Sequence, residues 1–406
     1  MLSDDSLNVL MQPIIERQEN INNYVLKKIA QRVKQIGTMS SSDLHKLQRL
    51  YETGSDVREI NKQLASLTLL QELEIKKIIE IVAKQAYIDV KPYYDYRHKS
   101  YLPFKQNKPL QRVVKTVQRQ TVNTYHNMSK AQAFMLRDKT NPKILKPTKI
   151  AKTYQKIIDE AIQAAQSGTI DYQSAMRRSL KQLNESGIRY VEYHPESGRT
   201  FSQRLDTAVK RNLLDGIRAI NQGVQDVTGE QYGATGKEIS VHQYPAPDHE
   251  PIQGHQFTNE EWEKLQSVQP FSDVNGNKFD AIERHIGVLN CRHFAWSVIA
   301  GVTKPNYTQE QLDHIIERNH NGYTDKSGKH YTMYECTQEQ RRLETLVRKN
   351  KDGQIMAREA GDDTLAKEYQ TKINRYTQQY EAFSKACGLN TVKKNLTVSG
   401  YRKIGV

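Results

Sequence analysis

Six imidazole and thiol side chains, able to bind a metal or move a proton, fall between positions 242 and 293: His242, His249, His255, His285, Cys291 and His293. Imidazole nitrogen and thiolate sulfur are the donors that zinc prefers, and structural zinc sites commonly show local pairs such as C-x₂₋₄-C or H-x₃₋₅-H. His249-x₅-His255 approaches that spacing, Cys291-x-His293 is tighter than it, and Cys291 has no second Cys nearby. Zinc is the metal this donor set would suit, but the spacing commits the chain to none. A nucleophilic reading takes Cys291 as thiolate, one His as its base and Arg292 as the cation that favours the thiolate. A nuclease of the His-Asn-His type would use His285 and Asn290, yet the third His and its spacing are missing. The plainest alternative is that these side chains hydrogen-bond backbone groups at turns where Pro and Gly leave amides unpaired. On this reading the chain has no catalytic residue and no cofactor.

Such groups need elements to hold them. Gly287 predicts a turn, because glycine alone takes positive φ without steric cost. Asn290-Cys291-Arg292-His293 follows, and Phe294 to Ala300 form an apolar run that Gly301 ends, suited to a buried strand or short helix. Upstream, Ile239 to His242 alternate like a strand and run into a Pro-rich block. Elsewhere helical periodicity dominates. Ile21, Val25, Ile29, Val33 and Ile36 form one stripe stopped by Gly37. Asp43 opens a short helix, and Asp56 with Glu59 has capping-box spacing for a long one. A helix is expected between Pro109 and Pro142. Two more fill 151–186, the second capped by Asp171. Ile188 to Tyr193 have β character, and 201–227 reads as one long amphipathic helix. Beyond Tyr307 come a helix from Thr308, a turn over Gly322–Gly328 and a helical hairpin. The hairpin's second arm carries Leu365, Tyr369, Ile373, Tyr376, Tyr380 and Phe383 at near-heptad spacing, and its first arm is expected to start with Thr337 as cap and Gln340 three later. Isolated strands among helices predict a helix-rich α+β protein. Four regions are expected: 1–90, an N-terminal helical docking region; 91–150, a basic segment broken by Pro and rich in Tyr; 151–310, a central α+β domain with a few short strands; and 311–406, a C-terminal helical hairpin and tail.

The bulk properties narrow the setting. The formal net charge is +14 over 406 residues. From Lys91 to Ile150 there are fourteen Lys and Arg against Asp95 and Asp138, so 14 − 2 leaves +12 of that charge in one stretch. A concentration of this kind predicts a polyanionic partner, either nucleic acid or an acidic protein surface, with a solvated linker as the third reading. Lys105, Lys108, Arg112, Lys115 and Arg119 are the candidate phosphate contacts, and the interleaved Tyr93, Tyr94, Tyr96, Tyr101, Phe104 and Tyr125 could stack on bases. Three dispersed cysteines, Cys291, Cys336 and Cys387, fit a reducing compartment. No signal-type or membrane-spanning apolar run is present, which predicts a soluble protein made in a cytoplasm.

Three blocks in order resemble the phage minor capsid protein 2 family, itself related to the phage Mu-type head-morphogenesis proteins. The first is Ser240, His242, Pro247 and His249, then Gln253-Gly254 and an aromatic. The second is Asn290-Cys291-Arg292-His293 before Gly301. The third runs from Gly328 to Arg341. Two departures stand out: Ala246 replaces an Arg usual in the family, and the Gly-rich approach to Asn290 is shortened. The resemblance implies a tailed-phage minor head protein, made in a bacterial host's cytoplasm and built into the virion interior near the portal. Its implied partners are the portal protein, the capsid or scaffold interior and double-stranded DNA bound without sequence preference, with no membrane and no small-molecule substrate. It implies an assembly component, not an enzyme. The rival is a metal-binding or toxin-like enzyme carried on a phage head module, for which the family-like blocks leave no further domain.

Overall fold

A computed structural model describes residues 4–36, 55–131, 135–137, 145–147, 149–185, 190–193, 201–283, 286–287, 291 and 293–405. The short helix expected from Asp43 and the side chains of Asp56 and Glu59 lie outside the described residues. The chain is helix-rich with short antiparallel strands, and it divides into two compact units.

One unit comprises residues 1–11, 73–123 and 211–338. Three long amphipathic helices contribute to it. Helix α2 (Ser55–Asp89) buries Ile75, Ile78, Ile79, Val82, Ala83 and Ala86, α3 is the short turn Lys91–Tyr96, and α4 (Lys108–Ala131) buries Leu110, Val114 and Val117. These recur every three or four residues, which puts each set on one helix face. Helix α7 (Leu205–Tyr232) buries Leu213, Ile217, Ile220 and Val224. It comes so close to α4 that a Cβ on Gly216 or Gly223 would run into Thr121 or Val113.

The unit's largest sheet has three strands in the order β6-β5-β9: β5 (Gly236–Ile239) in the middle, β6 (Gln256–Thr258) and β9 (Ala295–Val298) at the edges. Both pairings are antiparallel, with Glu238 opposite Gln256 on one side and Ile239 opposite Ala295 on the other. An edge strand exposes unpaired amides. Here α7 covers them: Gln222 Oε1 accepts from Ala295 N–H and Gln225 Oε1 from Ser297 N–H, each at 3.0 Å. Helix α8 (Asn259–Gln266), capped by Thr258, adds Leu265 to a small core of Ile239, Ile252, Phe257, Phe271, Ile282, Ile286 and Cys291. Two hairpins complete it: β7 (Phe271–Ser272) with β8 (Lys278–Phe279) lies against α8, and β10 (Tyr323–Thr324) with β11 (His330–Tyr331) follows α9 (Gln309–Asn321), which starts with a capping box at Thr308.

The other unit comprises residues 12–72, 124–210 and 339–406. Its core joins Ile21, Val25, Ile29 and Val33 of α1 (Asp4–Ile36) to α5 (Lys149–Gln166), α6 (Tyr172–Glu185) and the tip of the hairpin formed by α10 (Met333–Ala360) and α11 (Asp363–Ala386). Asp171 caps α6, its Oδ1 accepting from Ser174 N–H at 2.9 Å. Leu365, Tyr369, Ile373 and Tyr380 are buried along α11, as the near-heptad spacing predicts. Strands β1 (Met135–Arg137) and β2 (Leu145–Pro147) pair antiparallel.

Two local expectations are corrected. Phe201–Arg204 is not the first turn of a helix but strand β4, paired with β3 (Tyr190–Tyr193); α7 starts at Leu205. A run with β character needs a strand partner for its backbone groups, and the nearest lies across the intervening turn. Arg204 is buried at the junction, where it ion-pairs with Asp206 and Asp352. The hairpin's first arm starts earlier than Thr337. Thr332 is its cap: its Oγ1 accepts from Glu335 N–H at 3.2 Å and Glu335 Oε2 accepts from Thr332 N–H at 2.8 Å. Thr337 instead donates its hydroxyl to Tyr334 O inside the helix. Both threonines have an acid or amide three residues later, so spacing alone did not choose between them.

Candidate metal centre and basic helix

Antiparallel pairing assembles the His/Cys group. Since Ile239 faces Ala295, the residues after β5 run beside those before β9. Ser240 locks the exit: its N–H donates to Phe294 O at 2.9 Å, and its Oγ accepts from Phe294 N–H at 3.1 Å. The loop from β5 to β6 then folds back. His249 N–H and Glu250 N–H both donate to Ala246 O, with Pro247 exposed in the turn between. Gln253 Oε1 accepts from His242 N–H at 2.9 Å, and Gly254 N–H returns to Ile239 O. Glu250 fastens the loop to α9 by accepting from Asn319 Nδ2 at 2.6 Å and pairing with His320 Nε2 at 2.7 Å.

The result brings His249, Cys291 and His293 together, with one nitrogen or sulfur from each inside 4.8 Å of the others. All three are buried. Cys291 Sγ lies 3.3 Å from His249 Nδ1 and 3.5 Å from His293 Nδ1. The outer nitrogens face oxygen: His249 Nε2 is 3.4 Å from Asp248 Oδ2, and His293 Nε2 is 3.4 Å from Gln253 Oε1. The half-buried His242 ring stands edge-on to His293, centroids 4.5 Å apart. Burial pushes the Cys291 thiol up, but the His249 hydrogen bond, the Gly287 amide, the His249 charge and the His293 amide outweigh it, and the thiol lies below its ordinary range. Arg218, reaching from α7, adds positive charge near Cys291. Gly287, at φ +96°, makes room for it, since a Cβ there would strike the guanidinium.

His255 is not part of this group. Its Nδ1 pairs with buried Asp273 Oδ2 at 2.7 Å, beside Phe279. Gly301 sits in the turn after β9, where Val302 N–H donates to Ile299 O. His285, Asn290 and Arg292 lie outside the described residues. Two contributors were missed from the sequence. Asp248 had a signal, being a carboxylate adjacent to a His. Arg218 had none, being far away in the chain on a helix read only for its apolar stripe.

The five candidate phosphate contacts, Lys105, Lys108, Arg112, Lys115 and Arg119, are all exposed. The last four recur at i, i+4, i+7 and i+11 on α4, opposite buried Leu110, Val114 and Val117. They form one stripe about 16 Å long. The aromatics of the basic segment are mostly spent on packing. Tyr94 is buried, Tyr101 stacks on Tyr87 at 4.5 Å, and Tyr93 stacks on Tyr232 at 5.4 Å. Tyr96 stays exposed.

The phage minor capsid protein 2 family matches residues 2–385, nearly the whole chain. The protein belongs to that family and is a minor capsid protein of a bacteriophage. No curated protein and no solved structure matches it. Among the described residues no helix is long and apolar enough to cross a membrane.

Proposed function

We propose that this minor capsid protein sits inside the phage head at the portal, takes part in procapsid assembly, and holds packaged duplex DNA through the basic stripe of α4. It acts as a structural component and not as an enzyme. The observation that carries this reading is the stripe itself: exposed cations on one face of a helix whose opposite face is buried. Cations so placed neutralise phosphates and release counterions without reading sequence. The packing of Tyr94 and Tyr101 against other tyrosines removes two base-stacking platforms, which favours duplex over single strands.

The test replaces Lys105, Lys108, Arg112, Lys115 and Arg119 together with Gln. These side chains are exposed, so the fold should survive, as checked by circular dichroism. Duplex binding, followed by fluorescence anisotropy across a salt series, should weaken, and the slope of log K against log salt should flatten by roughly four. A variant that binds duplex like the parent but fails to enter procapsids would place the stripe on an acidic protein surface instead. Unchanged behaviour in both assays would reject the stripe as a binding face.

A further inference from the structure

We infer that His249, Cys291 and His293 hold a divalent transition-metal ion, zinc by preference, through Nδ1, Sγ and Nδ1, and that the ion ties the β5–β6 loop to the start of β9. Zinc binds thiolate sulfur at about 2.3 Å and imidazole nitrogen at about 2.0–2.1 Å, so in a tetrahedral site S and N stand about 3.5 Å apart. The two Sγ–Nδ1 separations are 3.3 and 3.5 Å. Both match that spacing, and the three donors lie within 4.8 Å of one another.

The surroundings point the same way. A ligating His usually presents its other ring N–H to a carboxylate or carbonyl, which fixes the tautomer and the ring plane. Asp248 Oδ2 stands there for His249 and Gln253 Oε1 for His293. Gln253 is itself held by the His242 amide. With Nε2 protonated on both rings, both Nδ1 lone pairs point at one sulfur. A thiol proton can bridge that sulfur to one nitrogen, whereas a cation bridges all three atoms. Binding forms one Sγ–metal and two Nδ1–metal bonds and releases to solvent the thiol proton together with any proton carried at the Nδ1 atoms. One thiolate with imidazoles suits zinc or cobalt and disfavours magnesium and calcium, which take oxygen. His255, engaged by Asp273, is not a ligand.

The experiment uses the full chain, purified without added metal. Elemental analysis should find stoichiometric zinc. After removal by a chelator, titration with cobalt(II) should give the near-ultraviolet thiolate-to-cobalt charge-transfer band and the strong visible bands of a tetrahedral ion. Cys291→Ser should abolish the charge-transfer band, Asp248→Asn should weaken affinity about tenfold to a hundredfold, and His255→Gln should change neither. Chelator should lower the melting temperature of the parent but not of Cys291→Ser. Should Cys291→Ser fail to fold, the cobalt spectrum of the parent and the Asp248→Asn titration still decide. Folded parent protein that contains no zinc and gives no charge-transfer band with cobalt would overturn the inference, leaving a hydrogen-bonded His–Cys–His cluster.

Discussion

The His/Cys loop and the α10–α11 hairpin are built by opposite means. The hairpin is a seam of Leu343, Val347, Ile373 and Tyr380, held by apolar area along two regular helices. The loop puts Ile252 and Cys291 into a small core and is otherwise held by single hydrogen bonds: Ser240 to Phe294, Glu250 to Asn319, and Gln253 across the loop to His242. Apolar area is forgiving of detail and sums over many residues, whereas a hydrogen-bonded loop depends on a few atoms in place. The hairpin should therefore respond to mutation through global stability, and the loop through local order.

Ile373→Asp should have the largest effect. It puts an unpaired carboxylate in the seam and should cost at least about 3 kcal/mol, seen as a clear fall in the melting temperature. A melt like that of the parent would show that the seam is not what holds this region.

Asp362→Ala should come next, at about 1–2 kcal/mol. Asp362 caps α11 by accepting from Leu365 N–H and takes both arms of the Arg177 fork, at 2.7 and 2.9 Å. Burial pushes its carboxyl up, but Arg177, the Leu365 amide and the Lys181 charge outweigh it, so its pKa lies below the usual carboxylate value. A depressed folded pKa stabilises above the unfolded value of about 3.9 and loses that stability as pH falls through the folded one. The difference in urea stability between parent and variant should therefore narrow as pH drops from about 6 toward 3. A constant difference would assign the effect to packing alone.

Ser240→Ala should be the smallest, about 1 kcal/mol. Its signature is local: faster hydrogen exchange at the Phe294 amide with little change in the hairpin. Equal change in both regions would erase the distinction between them.

Much of the fold was legible because helices announce themselves locally. The stripe Ile21–Val33, the cap at Asp171, the Thr308 start and the α11 seam each rest on contacts a few residues apart, or on a face set by period alone. The errors fell where two local solutions competed. Thr337 and Thr332 both have cap spacing, and Phe201–Arg204 fits a helix until its strand partner is known. The candidate site was legible as a list of residues but not as a set. Sequence spacing offered the pair His249 and His255, which the fold separates, one against Cys291 and the other against Asp273.

By itself the sequence determined the helix-rich α+β character, the family, the exposed charge of α4 and the apolar faces. The first two follow from composition and motif order along the chain, the last two from helical period, which depends on neighbours within a turn or two of chain. Only the tertiary structure decided which histidines share a sulfur. That choice follows from the register of β5 against β9, from α7 covering the β9 edge, and from Arg218 lying over Gly287. Each joins segments dozens of residues apart, and chain-local periodicity has no means to encode a pairing at that range.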